Sequence, residues 1–177
     1  MTTEKLRIAL LEPFYNGSHK QWADGLKKHS QHHIDLFTLP GKHWKWRMEG
    51  ASVTFSKQLL ASDTKYDLIL ATDMLNLGQF LAQTRDITQD IPVALYFHEN
   101  QLLYPRKEDD EQGKETTPDF HYPFINFLSM MSADKIFFNS DYHRTELLKA
   151  LPSFLKMFPD NRELGSVDEL AEKSETL

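Results

Sequence analysis

Short apolar runs alternate with amphipathic stretches along most of the chain. Leu6–Leu11, Ile34–Leu39, Tyr66–Thr72, Val93–Phe97 and Lys135–Asn139 are apolar, β-prone runs and read as five strands. Helical patterns fill the gaps. One opens at Ser18, where Ser18 and Gln21 fit a capping box and Trp22 and Leu26 lie one turn apart on an inner face. A second runs from about Ala51 to Ala61, with Phe55 and Leu59 inward. A third follows Asp73 and carries Leu77, Phe80, Leu81 and Thr84. A fourth spans Phe120 to Met131 with Pro123 in its first turn, and a fifth is capped by Ser140. Strands alternating with helices predict an α/β fold with a doubly wound, parallel sheet. Right-handed crossovers then bring every strand-to-helix loop to one edge, where such sheets bind ligands.

Two segments break the rhythm. Pro105–Pro118 is charged, contains the run Glu108–Glu111 and lacks apolar periodicity, so it reads as a loop. From Pro159 onward the chain is polar and acidic. Residues 1–158 are therefore expected to form one domain and 159–177 a linker or tail.

Composition narrows the function classes. With 40% hydrophobic and 26% charged residues among 177, the chain has the makings of a core. A net charge of -6 excludes a surface that is basic all over, so any nucleic-acid contact must be a local patch. There is no cysteine, hence no disulfide, thiolate metal site or cysteine nucleophile. No run of about 18 apolar residues and no signal-peptide core occur, and a cytoplasmic protein without membrane contact is expected. His32–His33 read as solvent-facing, and no Asp-x-Asp motif ends a strand, so no metal and no cofactor are expected.

The candidate chemistry lies at the strand ends. Gly17-Ser18-His19 turns the first strand into a helix; the helix start suits a phosphate, and a plain capped turn is the alternative. Val93–Phe97 runs straight into His98, Glu99, Asn100 and Gln101. His98 and Glu99 could act as acid, base or sugar-hydroxyl ligands, or form a local hydrogen-bonded corner. On an extended strand they point oppositely, so they are not expected to face one ligand atom. Asn139-Ser140 is the weakest substrate-binding candidate of the set, because capping explains it fully. Lys42, Trp44, Lys45, Trp46 and Arg47 interleave charge with aromatic rings, the chemistry of single-stranded or looped RNA recognition; the tryptophans could equally anchor a surface loop.

Several of these stretches occur in a familiar order: Glu12–Gln21, Thr38-Leu-Pro before Lys42–Arg47, Leu75-Asn-Leu77, Leu95–Pro105 with its Tyr-Phe-His-Glu-Asn-Gln run, and Phe137–Ser140. From about Leu6 to Asp160 the chain resembles the N-terminal half of the tRNA-queuosine α-mannosyltransferase family. The resemblance implies the acceptor-side, Rossmann-like domain of a GT-B type retaining glycosyltransferase. It implies GDP-mannose, or another nucleotide sugar, as donor and queuosine in tRNA as acceptor. It places Gly17 and Ser18 near the donor diphosphate and His98 near the transferred sugar. Glu99, Asn100 and Asn126 are carried over as further catalytic or substrate-binding positions, and Lys42–Arg47 would meet tRNA or line the acceptor cleft. The family pattern has a small residue where Asn16 stands. The second, donor-binding domain is absent from this chain, so the chain is expected not to transfer sugar efficiently alone. Two other readings remain open: a stand-alone RNA- or anion-binding module without catalysis, and a glycosyltransferase half acting on a small-molecule or lipid acceptor.

Overall fold

A computed structural model describes residues 4–105 and 119–177. From residue 106 on, the loop expected at Pro105–Pro118, with its run Glu108–Glu111, lies outside the described residues. The elements run β1 (Arg7–Tyr15), α1 (Gly17–His29), β2 (His33–Pro40), α2 (Trp44–Leu60), β3 (Leu68–Thr72), α3 (Leu77–Thr88), β4 (Val93–Phe97), α4 (His121–Ser132), β5 (Lys135–Phe138), α5 (Asp141–Leu155), α6 (Ser166–Glu172) and β6 (Ser174–Thr176). They form a six-stranded, all-parallel sheet of order β2-β1-β3-β4-β5-β6, which is the expected doubly wound, Rossmann-like arrangement.

Strand β1 sits where the order reverses, so its two faces bury different partners. Ala9 and Leu11 join Phe55, Phe80, Leu95 and Phe138 in the main core, under α2 to α6. Ile8 and Leu10 face the other way, against Ala23, Trp22 and Leu26 of α1. Both sets are apolar because a central parallel strand is covered on both faces.

Four boundaries differ from the sequence reading. First, β1 continues through Pro13. Its pairing with β3 ends at Leu11, so Pro13 breaks no ladder bond on that side, and the register with β2 shifts between Glu12 and Tyr15. Second, Asn16, not Ser18, caps α1: its side chain accepts the Gly17 N–H at 2.9 Å. Gly17 holds φ +52, a conformation that favours glycine, so the helix begins one residue before Ser18. Third, α2 starts at Trp44 rather than near Ala51. His43 adopts a left-handed φ of 54 without a side-chain cap, and Arg47 Nε donates to the Pro40 carbonyl at 3.0 Å.

Fourth, residues 166–176 are not linker or tail. Helix α6 buries Leu170 completely in the main core, and β6 pairs with β5 from Ile136↔Ser174 to Phe138↔Thr176. Its three residues, Ser-Glu-Thr, form a polar edge strand with no apolar signature. No helix among the described residues is long and apolar enough to cross a membrane.

Candidate functional site

The strand order places Glu12 at the end of β1, Asp73 just past β3 and His98 just past β4 on one rim. Glu12 is fully buried. Its Oε1 accepts the Phe14 N–H at 2.9 Å, and both its oxygens lie 3.2 Å from His19 Nδ1. His98 Nε2 is 3.6 Å from Glu12 Oε2, too far for a hydrogen bond, so that attraction is electrostatic only. The His19 and His98 rings lie 4.0 Å apart, tilted by 33°. Trp22 meets His98 edge-on at 4.9 Å and stacks on Tyr96 at 4.2 Å.

Burial alone would raise the Glu12 carboxyl, but His19, His98 and the Phe14 N–H together overrule it and hold it at about 2. The same pairing acts on His19: burial opposes its charge, yet Glu12 raises it above the ordinary imidazole value. His98 goes the other way, lowered by burial. Asp73 is pushed up to about 8 by complete burial, against the pull of His19 and the His98 N–H. Its Oδ1 accepts that N–H at 2.9 Å; Oδ2 is buried and, like His98 Nε2, has no hydrogen-bond partner among the described residues. Glu12, His19 and His98 are also the one group of these residues whose ligand atoms all lie within 4.8 Å. As they stand they form a hydrogen-bonded carboxylate–imidazole pair with a second ring tilted against it.

In front of this cluster opens a cleft of about 970 Å³. Of the residues singled out from sequence, Gly17, Ser18, His19, Trp44, Lys45 and Glu99 line it. The first bond of α1 runs from Lys20 N to the Asn16 carbonyl, so the N–H groups of Ser18 and His19 precede the helical ladder at its positive end. Glu12 engages His19 Nδ1, and His19 lines the cleft. Another part of the lining is aromatic. Trp44 meets Tyr122 at 4.9 Å, and Lys45 Nζ lies 5.2 Å from the Tyr122 ring and 5.6 Å from the Trp44 ring. Lys45 also pairs with Asp119 at 3.4 Å.

The other candidates sit elsewhere. His98 is behind His19 rather than on the cleft wall. Asn126 is buried and bridges two loops, donating to the Asp73 carbonyl and accepting the Gln101 N–H, both at 2.8 Å. Asn100 and Asn139 are engaged with His143. Ser140 caps α5 by accepting the His143 N–H. Lys42 and Arg47 lie off the cleft, and Trp46, 64% exposed, packs over Gly50. The basic stretch is thus split between cleft wall and outer surface by the helical turn that carries it.

Sequence reasoning missed Glu12, Asp73, Tyr122 and His143. Glu12 and Asp73 carried the same signal as His98, a polar residue ending an apolar run. Tyr122 and His143 carried none, because their roles arise only from how α4 and α5 pack.

Comparison with known proteins identifies the family. The family model described as tRNA-queuosine alpha-mannosyltransferase N-terminal matches residues 7–177. A tRNA-queuosine alpha-mannosyltransferase of Drosophila melanogaster is 32% identical over 178 residues, an alignment that covers all of this chain. The chain spans 45% of that relative's length. With a matching family model over nearly its whole length, the chain belongs to the tRNA-queuosine α-mannosyltransferase N-terminal family.

Proposed function

We propose that this chain is the acceptor-side half of a retaining glycosyltransferase that moves mannose from GDP-mannose to a hydroxyl of queuosine in tRNA. The observation that carries this reading, beside family membership, is the make-up of the cleft. Its lining joins the α1 start and His19 with a cation-topped aromatic pair.

The chemistry divides accordingly. Sugar transfer passes through an oxocarbenium-like state as the diphosphate departs. The Ser18 and His19 N–H groups, and an imidazole whose charged form Glu12 favours, suit the growing negative charge on that leaving group. Glu99 faces the same cleft and suits an acceptor or sugar hydroxyl. His98 supports His19 from behind and acts through it. The Trp44–Tyr122 wall suits a splayed-out base, since every base has a face to stack.

The test is transfer from labelled GDP-mannose to queuosine-containing tRNA by the full-length protein, with Trp44→Ala and Lys45→Ala variants. Stacking is worth about 1–3 kcal/mol per base, so Trp44→Ala should lower kcat/KM for tRNA by roughly 5- to 100-fold. Equal activity on tRNA lacking queuosine would overturn the acceptor assignment. RNA binding without any transfer would return the chain to a binding module.

A further inference from the structure

Two loops of the rim are joined by four hydrogen bonds that run in one direction. The Leu103 N–H donates to Asn100 Oδ1 at 2.8 Å. Asn100 Nδ2 meets His143 Nε2 at 2.7 Å, and His143 Nδ1 meets Asn139 Oδ1 at 3.0 Å. Asn139 Nδ2 donates to the His98 carbonyl at 2.8 Å. The two backbone ends dictate everything between them. A backbone N–H can only donate, so Asn100 presents Oδ1 to Leu103 and its NH2 to His143. His143 Nε2 must then be bare, and the neutral ring carries its proton on Nδ1. Asn139 accepts that proton and is left to donate to the carbonyl of His98.

We propose that His143 is a positioning residue for the His98–Leu103 segment, and that it holds this segment only as the neutral Nδ1–H tautomer. A proton on Nε2 would face the Asn100 NH2, donor against donor. Turning the Asn100 amide over gives no relief, because its NH2 would then meet the Leu103 N–H. The surroundings favour the neutral ring. It meets Phe97 at 6.0 Å and Phe138 at 5.2 Å, both edge-on, and burial lowers its pKa. It also lies in the first turn of α5, whose positive end disfavours a cation. From β4 and the loop after it His143 faces Phe97 and Asn100, and from β5 and the residue after it Phe138 and Asn139. The charged neighbours on its own helix are turned elsewhere: Asp141 accepts from Thr176 Oγ1, and Arg144 donates to the Ser174 and Ala171 carbonyls.

This inference rests on the proposed function only in treating these loops as the sugar-facing rim. Its test is independent of any transferase assay. Histidine and backbone resonances of the labelled 177-residue protein are followed by NMR from pH 8 to pH 5. His143 should show the Nδ1–H signature at high pH. The Leu103 amide should move with the same midpoint as the ring, below the ordinary imidazole value. An Nε2–H tautomer, or a ring that titrates without moving Leu103, overturns the proposal. Asn100→Asp supplies a second check, since its carboxylate can accept from Leu103 and from a protonated His143 together. The His143 midpoint should then rise by about one unit or more, and the loop should be held on the acid side instead. An unchanged midpoint refutes the wiring. Lack of mannosyl transfer would leave these outcomes standing, and their failure would leave the transfer reading standing.

Discussion

Replacing Asp73 by Asn should stabilise the protein, increasingly so as pH rises. Asp73 is completely buried, its carboxyl pushed up to about 8 from an ordinary 3.8. Between those values the folded protein keeps a proton that the unfolded chain has released. The pKa is raised on folding, so the stabilising contribution is full below pH 3.8 and is lost as pH climbs toward 8. Each pH unit in that window costs about 1.4 kcal/mol, hence on the order of 3 kcal/mol between pH 5 and pH 7. Asn keeps an oxygen to accept the His98 N–H and has nothing to titrate. Other groups also bend the wild-type curve: His98 and His143, both lowered, make stability rise with pH up to the ordinary imidazole value. Taking the difference between variant and wild type cancels them. Urea unfolding at pH 5, 6 and 7 should therefore show the Asp73→Asn advantage growing with each pH unit, by about 3 kcal/mol in all. Two curves that stay parallel from pH 5 to pH 7 would mean that Asp73 is ionised in the folded protein, and would refute the reasoning.

Two further outcomes follow from the same rim. Glu12 is held at about 2 against an ordinary 4.5, so its contribution is full above pH 4.5 and lost as pH falls toward 2. Relative to Glu12→Gln, wild type should lose about 3 kcal/mol between pH 5 and pH 2, read as a shift of the acid-unfolding midpoint. A Cβ on Gly41 would sit 2.3 Å from Asn16 Cβ. Gly41→Ala should therefore displace the α1 cap and cost about 1–3 kcal/mol in chemical unfolding. By contrast Gly25→Ala, whose Cβ meets nothing within 4 Å, should gain up to about 1 kcal/mol from helix propensity.

How much of this was legible in the sequence depended on burial. β4 is buried at all five positions, and its apolar run marks it without ambiguity. β6 is a three-residue polar edge strand whose place is fixed by pairing with β5, which leaves no pattern to read. The first turns of α2 were hidden for a related reason: Lys42–Arg47 is exposed along most of its length and lacks apolar spacing. At the site, His98 announced itself by ending an apolar strand. Glu12 ends an apolar run in the same way, but nothing in the sequence pairs the two, because they come from β1 and β4 and only the sheet order brings them together across β3. Ser18 read as the cap of α1, but the helix starts at Gly17, held at φ +52, and Asn16 takes the capping role.

The closing helix and strand also bear on how the protein can be handled. A fragment cut at residue 158 would keep every residue of the rim yet bare the whole hydrogen-bonding edge of β5. It would also take away Lys173, whose ammonium donates to the Met131 and Ala133 carbonyls at the end of α4, and Leu170 from the core. An unpaired edge beside an unfilled core is a template for strand addition between copies. Such a fragment should precipitate at concentrations where a chain retained through Thr176 stays dispersed, so the solubility boundary of the domain lies two strands and two helices beyond α4, which carries Pro123, the last residue lining the cleft.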